Sequence, residues 1–104
     1  MDEKARKAEF DEIFADVDEK ERNLVDKLID EVVFLEVRME ELKKLPFVSV
    51  NPRNNAMQKV TAAAREYKNC SQSYMNAIRI LYSVLKKVES DAQNELLKRL
   101  EEFV

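Results

Sequence analysis

Few side chains in this 104-residue chain can carry out chemistry, because it contains no His and only one Cys, Cys70. Without His, the chain lacks the usual general base and the commonest metal ligand. A single Cys can form neither an internal disulfide nor a Cys-based zinc site. The absence of Gly also argues against the phosphate-cradling loops of nucleotide-binding enzymes. The sequence therefore predicts a protein that is not an enzyme and that has no cofactor and no metal site.

The remaining candidates for chemistry have simpler interpretations. A cluster of carboxylates at Asp16, Asp18, Glu19 and Glu21 has the oxygen ligands that divalent cations prefer. A solvated acidic turn is the favoured interpretation, because isolated charge runs usually lie on the surface. Cys70 is most simply a small, half-buried residue beside the core.

Three tyrosines are candidates for stacking on nucleic-acid bases. Tyr67 and Tyr74 lie one heptad apart on the apolar seam of a predicted helix, which favours burial in the core with the hydroxyl at its boundary. Tyr82 lies off this seam and is the better candidate for a surface contact.

Charge is divided unevenly along the chain. Residues 1–45 hold 9 basic and 15 acidic residues, whereas residues 46–88 hold 7 basic residues and a single acidic one, Glu66. On the heptad frame of the second long helix, Arg65, Arg79 and Lys86 share one position, with Lys59 and Lys87 beside them. Such a stripe can follow a phosphate backbone. The alternative is that it faces the acidic first helix or is merely solvated, as charge stripes on helices usually are.

The elements that carry these residues are predicted to be helices. Both prolines fall in one short stretch, so we expect a loop over residues 46–55 between a helix over 20–45 and a helix over 56–89. The apolar steps of three and four residues on both sides of the loop predict an antiparallel helical hairpin of coiled-coil type. Asn54 or Asn55 is the expected cap of the second helix.

The two ends of the chain are predicted to be helical as well. Residues 1–19 form an N-terminal helical extension, which we expect to run into the first long helix as one bent helix, although a break capped by Asp16 or Asp18 is the alternative. Residues 90–104 form a short C-terminal helix, capped by Ser90, or else continue the second long helix. The whole chain is predicted to be one all-α domain.

A resemblance to a known family adds a functional hypothesis to these structural predictions. Leu45-Pro46-Phe47 followed by Asn51-Pro52, and then the Ala62–Ala64 helix start with Tyr67, resembles small phage-borne proteins of Gram-positive bacteria that are similar to phage terminase small subunits. The resemblance covers about residues 30–104. It implies a non-enzymatic DNA-packaging component that forms ring-like oligomers, binds viral DNA and hands it to a large subunit with ATPase and nuclease activity.

The chain departs from the family pattern because it shows no convincing N-terminal helix-turn-helix. The basic stripe is therefore the expected contact with double-stranded DNA, through Arg53, Lys59, Arg65, Arg79, Lys86 and Lys87. The alternative function is a helical protein–protein interaction module with no nucleic-acid role.

The widened apolar surface of the first long helix predicts self-association or partner binding. The expected interface is Leu24, Leu28, Ile29, Val32, Val33, Phe34 and Leu35. The charged start of the chain and the lack of long apolar runs predict no secretory signal, no membrane span and a location in the bacterial cytoplasm.

Overall fold

The computed structural model describes residues 1–51, 54–88 and 91–103, and within them the chain forms four helices and one pair of strands. The helices are α1 (Glu3–Ile13), α2 (Glu19–Lys43), α3 (Ala62–Leu85) and α4 (Ala92–Phe103). The strands are β1 (Val48–Asn51) and β2 (Asn54–Val60). The predicted fold class is confirmed: the protein is all-α in character, and its two longest helices pack against each other as an antiparallel hairpin.

The packing of α2 on α3 follows from the two apolar seams in the sequence. Steps of three and four residues place apolar side chains on one side of a helix with 3.6 residues per turn. On α2 the seam residues Val25 and Val32 are fully buried, and on α3 Leu81 and Leu85 are buried against them. The prediction of two long, facing helical seams is therefore confirmed by the core.

The junction between α1 and α2 is a break, so the expectation of one bent helix is wrong and the capped alternative is correct. The helix α1 ends at Ile13, and the Asp18 side chain accepts a hydrogen bond of 3.2 Å from the Lys20 N–H at the start of α2. The chain reverses between them, so α1 packs antiparallel along the first part of α2. This reversal buries Phe10 and Phe14 completely.

Arg22 holds the break closed from the α2 side. Its guanidinium donates to the carbonyl oxygens of Phe14, Ala15 and Val17 at 2.9, 3.0 and 3.2 Å. These carbonyls follow the end of α1 and lack partners within that helix. One side chain therefore replaces the hydrogen bonds that a continuous helix would have supplied.

The C-terminal helix α4 closes a bundle of four antiparallel helices. It packs against both α3 and α1, and Leu96 at its centre is fully buried. The Phe103 ring lies 5.5 Å from the Tyr74 ring of α3. The predicted cap Ser90 lies outside the described residues.

The connection between α2 and α3 is a β-ribbon, whereas the sequence predicted a loop over 46–55 and a helix from residue 56. Val48 pairs with Val60 and Ser49 with Lys59 in an antiparallel register. The helix α3 begins only at Ala62, because the Thr61 side chain accepts from the Ala64 N–H at 3.2 Å. Asn54 and Asn55, the expected caps, lie within β2 instead.

The molecule is elongated, with extents of 60 × 24 × 22 Å. The 25 residues of α2 account for about 37 Å of the long axis at about 1.5 Å per residue. The remaining length matches a ribbon of strands that rise about 3.3 Å per residue. The ribbon therefore continues the long axis beyond the helical bundle.

Candidate functional site

The outer face of α3 carries exposed basic side chains. Tyr74, Ile78 and Leu81 are buried on the opposite face of the helix. At 100° per residue, the basic positions point away from that buried face. The exposed cations on this face, referred to below as the α3 basic face, are Arg65, Lys68, Arg79 and Lys86.

Within the described part of the chain, no carboxylate forms an ion pair with any member of the α3 basic face. Three of its members, Arg65, Arg79 and Lys86, were predicted from the sequence. Lys68 was not, although its spacing of three residues from Arg65 was a sufficient signal. The carboxylates of the described residues therefore leave the positive charge of this face unpaired.

Lys87 behaves differently from its neighbour Lys86. Its ammonium lies 2.5 Å from the Glu21 carboxylate of α2, and this hydrogen bond raises the pKa of Lys87. Lys87 therefore fits the alternative interpretation, in which a basic residue faces the acidic first helix. This contact offsets part of the positive charge that Lys87 was expected to offer to DNA.

Two further members of the predicted set lie at the ribbon. Lys59 is exposed, but it lies on strand β2 opposite Ser49 and not on a helix, because β2 continues to Val60 and α3 starts two residues later. Arg53 lies outside the described residues. The ribbon thus brings Lys59 close to the α3 N-terminus by a different local structure from the predicted one.

The predicted partner surface on α2 needs correction. Five of its seven residues belong to the protein's own core or its edge, because α1 and α3 pack on them: Leu28, Ile29, Val32, Val33 and Leu35. Only Leu24 and Phe34 remain on the surface, with 50% and 61% of each residue exposed. They lie ten residues apart, which is about 15 Å along a helix.

A buried polar cluster joins all four helices inside the bundle. The Arg6 guanidinium donates to both oxygens of Glu36 at 2.7 and 3.0 Å, and the Tyr74 hydroxyl donates to Glu36 Oε2 at 2.6 Å. Arg6 also donates to Glu9 and to the backbone carbonyl of Arg99 on α4, each at 3.0 Å. All four helices therefore meet around one guanidinium.

The electrostatics of this cluster follow from its burial. Hydrogen bonding to Glu36 raises the pKa of Arg6 above its ordinary value, against the opposing effect of burial. Burial, followed by the hydrogen bond to Glu36, raises the pKa of Tyr74. Because Glu36 is fully buried and accepts three hydrogen bonds, the cluster is saturated by its own members. It is suited to fixing the helix arrangement.

The sequence contained one signal for this cluster. Glu36 lies four residues after Val32 and three before Met39, so it occupies a position in the apolar spacing of α2. An acidic residue at such a position needs a buried partner, because an unpaired charge is costly in the core. The partner Arg6 is 30 residues away, and helix spacing does not identify it.

The other candidate residues have structural roles. Tyr67 packs on Phe47, with ring centroids 5.3 Å apart, and Tyr82 is half-buried against the core, so it is not the exposed residue that was expected. Cys70 is half-buried beside the same core. In the acidic turn, the Asp18 side chain caps α2. Among the described residues, no group of three or more acidic or Cys side chains is placed to hold a metal ion.

The fold and the site together define a class: a small helical bundle with a projecting β-ribbon and a basic outer helix face. None of the helices in the described residues is long and apolar enough to cross a bilayer. Comparisons of the chain with protein-family models, with curated proteins and with solved structures found no match.

Proposed function

We propose that the protein is a non-enzymatic DNA-binding component, similar to phage terminase small subunits, that binds double-stranded DNA through the α3 basic face. The observation that carries this proposal is the exposure of Arg65, Lys68, Arg79 and Lys86 without carboxylate partners in the described chain. Cations that are already paired gain less from a phosphate, whereas these four are free to displace the counterions of DNA.

The length of the face supports a duplex as the ligand. Arg65 and Lys86 are 21 residues apart, which corresponds to about 32 Å along a helix. One turn of B-DNA is about 34 Å long. The α3 basic face can therefore follow phosphates over about one turn of the duplex.

The acidic half of the molecule supports one orientation on the DNA. Residues 1–45, which form α1 and α2, hold 15 acidic and 9 basic residues, and the DNA phosphates repel their excess of negative charge. The opposite charges of the two sides orient the approaching protein with α3 toward the duplex. Because phosphates carry no sequence information, the contacts of the α3 basic face with them are expected to be independent of sequence.

The test is the salt dependence of binding to a fluorescent DNA duplex, measured by anisotropy between 50 and 300 mM salt. Each phosphate contact contributes about 0.9 to the slope of log affinity against log salt concentration. We expect R65A/R79A/K86A to lower this slope by about 2.7 and to weaken binding. Binding that does not change over this salt range overturns the proposal.

A matched control uses three exposed lysines outside the α3 basic face. K4A/K27A/K98A removes the same number of charges from α1, α2 and α4. If the face is the contact, this variant keeps the wild-type slope. An equal loss in both triple variants would assign the binding to net charge and not to the face.

The alternative function, a protein–protein interaction module, is favoured by one observation, the exposure of Phe34 on α2. Large exposed aromatic residues are common anchors of interfaces. In this case F34D lowers the molar mass measured by light scattering, or abolishes partner binding, while DNA has no effect on the wild-type mass. Val32 and Leu35 are unsuitable for this test, because they are buried in the protein's own core.

Binding to DNA and self-association are compatible, and a terminase-like role requires both. Light scattering with and without duplex DNA shows whether the protein self-associates, binds DNA, or does both. A monomer that ignores DNA contradicts both the terminase-like proposal and self-association.

A further inference from the structure

Three amide side chains lie between the cations of the α3 basic face. They are Asn69, Gln72 and Asn76, and all three residues are exposed. Their spacing of three and four residues continues to Arg65 on one side and to Arg79 on the other, so the five side chains form one row along the helix. The row has amides in its centre and a guanidinium at each end.

The two central amides point directly away from the core. At about 100° per residue, Gln72 is rotated by about 160° and Asn76 by about 200° from Tyr74, which is buried. Because both amide residues are exposed, the packing of α2 and α4 on α3 leaves this side of the helix open. The centre of the row is therefore accessible to a ligand as wide as a nucleic acid.

The described fold does not use the hydrogen-bonding groups of these amides. Within the described residues, two α3 side chains hydrogen-bond to other residues: Glu66 accepts from Arg38, and Tyr74 donates to Glu36. An amide side chain offers a carbonyl acceptor and an N–H donor side by side. The row therefore presents paired donors and acceptors that a ligand can bind.

The charge around the amides favours an anionic ligand. Glu66 is the single acidic residue of α3, and its carboxylate lies 2.8 Å from the Arg38 guanidinium of α2, which neutralises it. Two cations of the α3 basic face precede the amides along the helix, and two follow them. Phosphates that contact both pairs of cations would hold the amides against the bases between them.

The dimensions of the row suit the major groove of a DNA duplex. An α-helix with its side chains is about 10–12 Å across, and the major groove is about 12 Å wide, whereas the minor groove is about 6 Å wide. Asn69 and Asn76 are seven residues apart, which is about 10.5 Å along the helix. This length matches roughly three base-pair steps at about 3.4 Å each.

We propose that the centre of α3 enters the major groove of duplex DNA, where Gln72 and Asn76 bind adenines and Asn69 extends the contact. Asn and Gln side chains pair with N6 and N7 of adenine, which this groove exposes. The α3 basic face contacts the phosphates on either side of the groove. The proposal rests on the proposed DNA-binding function and adds a preference for adenine, because the amides read bases and the phosphates do not.

The experiment removes the adenine atom that the amides would contact. A fluorescent duplex of mixed sequence is prepared with 7-deazaadenine at every adenine, so that a C–H group replaces N7. A second duplex carries 7-deazaguanine at every guanine, which makes the matched change on the other purine. Both changes lie in the major groove and keep the base pairs. By anisotropy, we expect 7-deazaadenine to weaken wild-type binding by about fivefold or more and 7-deazaguanine by less than about twofold.

Matched variants assign the effect to the two central amides. Q72A/N76A removes both amides without changing the charge, and N23A/N94A removes two exposed amides from α2 and α4. We expect Q72A/N76A to bind the unmodified duplex about fivefold more weakly than N23A/N94A and to lose its sensitivity to 7-deazaadenine. Its salt slope should equal that of the wild-type protein, because no phosphate contact is lost. Circular dichroism of both variants verifies that the helices are intact.

The outcomes are distinguishable from those of the proposed function. If 7-deazaadenine weakens wild-type binding no more than 7-deazaguanine while R65A/R79A/K86A is impaired, the adenine contact is wrong and the phosphate contacts stand. If Q72A/N76A keeps its sensitivity to 7-deazaadenine, the assignment of the contact to these amides is wrong. If the wild-type protein does not bind the duplex, both proposals fail together.

Discussion

The Arg6 guanidinium and the Glu36 carboxylate form a two-hydrogen-bond ion pair, at 2.7 and 3.0 Å, in which Glu36 is fully buried. The pair links the first helix to the second, and the Tyr74 hydroxyl adds the third helix through Glu36. Buried ion pairs add little net stability over apolar residues of the same size, but losing one partner is costly. Its main effect is therefore to fix which helices pack together and in which register.

Removal of one partner should destabilise the bundle strongly. R6A leaves the Glu36 carboxylate buried without its cation, and we expect a loss of about 3–5 kcal/mol in the free energy of unfolding. Urea unfolding followed by circular dichroism measures this loss. The control is K7A, which removes a neighbouring cation whose ion pair with Asp30 is exposed; it should leave the midpoint nearly unchanged.

Simultaneous replacement of both partners should restore most of the stability. R6M/E36L substitutes apolar side chains of similar volume, and we expect it to unfold within about 1–2 kcal/mol of the wild-type protein. The same urea experiment applies. A double variant as unstable as R6A would show that the hydrogen bonds of Arg6 to Glu9 and the Arg99 carbonyl, and of Tyr74 to Glu36, matter more than the ion pair itself.

The raised pKa of Tyr74 predicts a loss of stability at high pH. The unfolded chain ionises this phenol near pH 10, whereas the folded chain keeps its proton because burial and the hydrogen bond to Glu36 raise the pKa. The folded state therefore binds more protons above pH 10, and its stability falls as the pH rises. From pH 8 to pH 11 this contribution amounts to about 1.4 kcal/mol.

The variant Y74F isolates this effect from the titration of lysines. It should be about 1–2 kcal/mol less stable than the wild-type protein at pH 8, because it lacks the hydrogen bond to Glu36. By pH 11 most of that difference should disappear, since phenylalanine does not titrate. Urea midpoints at both pH values provide the measurement, and a constant difference would contradict the raised pKa.

The two helical seams made the main architecture predictable from the sequence. Apolar residues that step by three and four, such as Val25 and Val32, depend only on helix geometry, and the structure buries them as expected. The exposure of the α3 basic face followed from the same geometry. Features that depend on the geometry of a single helix could therefore be predicted from the spacing of its residues.

The remaining features depend on contacts that local spacing does not contain. The break after α1 is stabilised by Arg22, and the late start of α3 by Thr61, so single hydrogen-bonding side chains decided both boundaries. The ribbon forms because Val48 pairs with Val60, twelve residues later in the chain. A single run of alternating residues does not show which segment it will pair with. The predicted partner surface on α2 was wrong because α1 packs on part of α2, a contact that the spacing within α2 does not contain.

Arg22 should prove necessary for the break between α1 and α2. R22A removes the guanidinium donor from three backbone carbonyls, of which only that of Phe14 keeps another hydrogen bond, from the Val17 N–H, and we expect a loss of about 1–3 kcal/mol. Hydrogen exchange should accelerate first in α1. The control K20A, an exposed lysine in the same turn of α2, should change neither the exchange nor the urea midpoint.

Thr61 should couple the ribbon to α3. Its hydroxyl donates to the Pro46 carbonyl and accepts from the Ala64 N–H, so T61A removes both a helix cap and a ribbon anchor. We expect a loss of about 1–2 kcal/mol and faster hydrogen exchange at Lys59 and Val60. T61S keeps the hydroxyl and should restore both values. Equal exchange in all three proteins would show that the Phe47–Tyr67 contact and the backbone hydrogen bond from residue 61 to the Phe47 carbonyl hold the ribbon without the hydroxyl.

Lys86 and Lys87 offer the sharpest test of the α3 basic face, because two adjacent lysines differ only in their surroundings. Lys87 is paired with Glu21, whereas Lys86 has no ion pair within the described chain. K86A should lower the slope of log affinity against log salt concentration by about 0.9, the contribution of one phosphate contact, and K87A should leave the slope unchanged. Anisotropy titrations with one duplex compare the two variants directly. Equal slopes would mean that the DNA responds to the charge of this helix end as a whole, and the assignment of individual contacts would then be wrong.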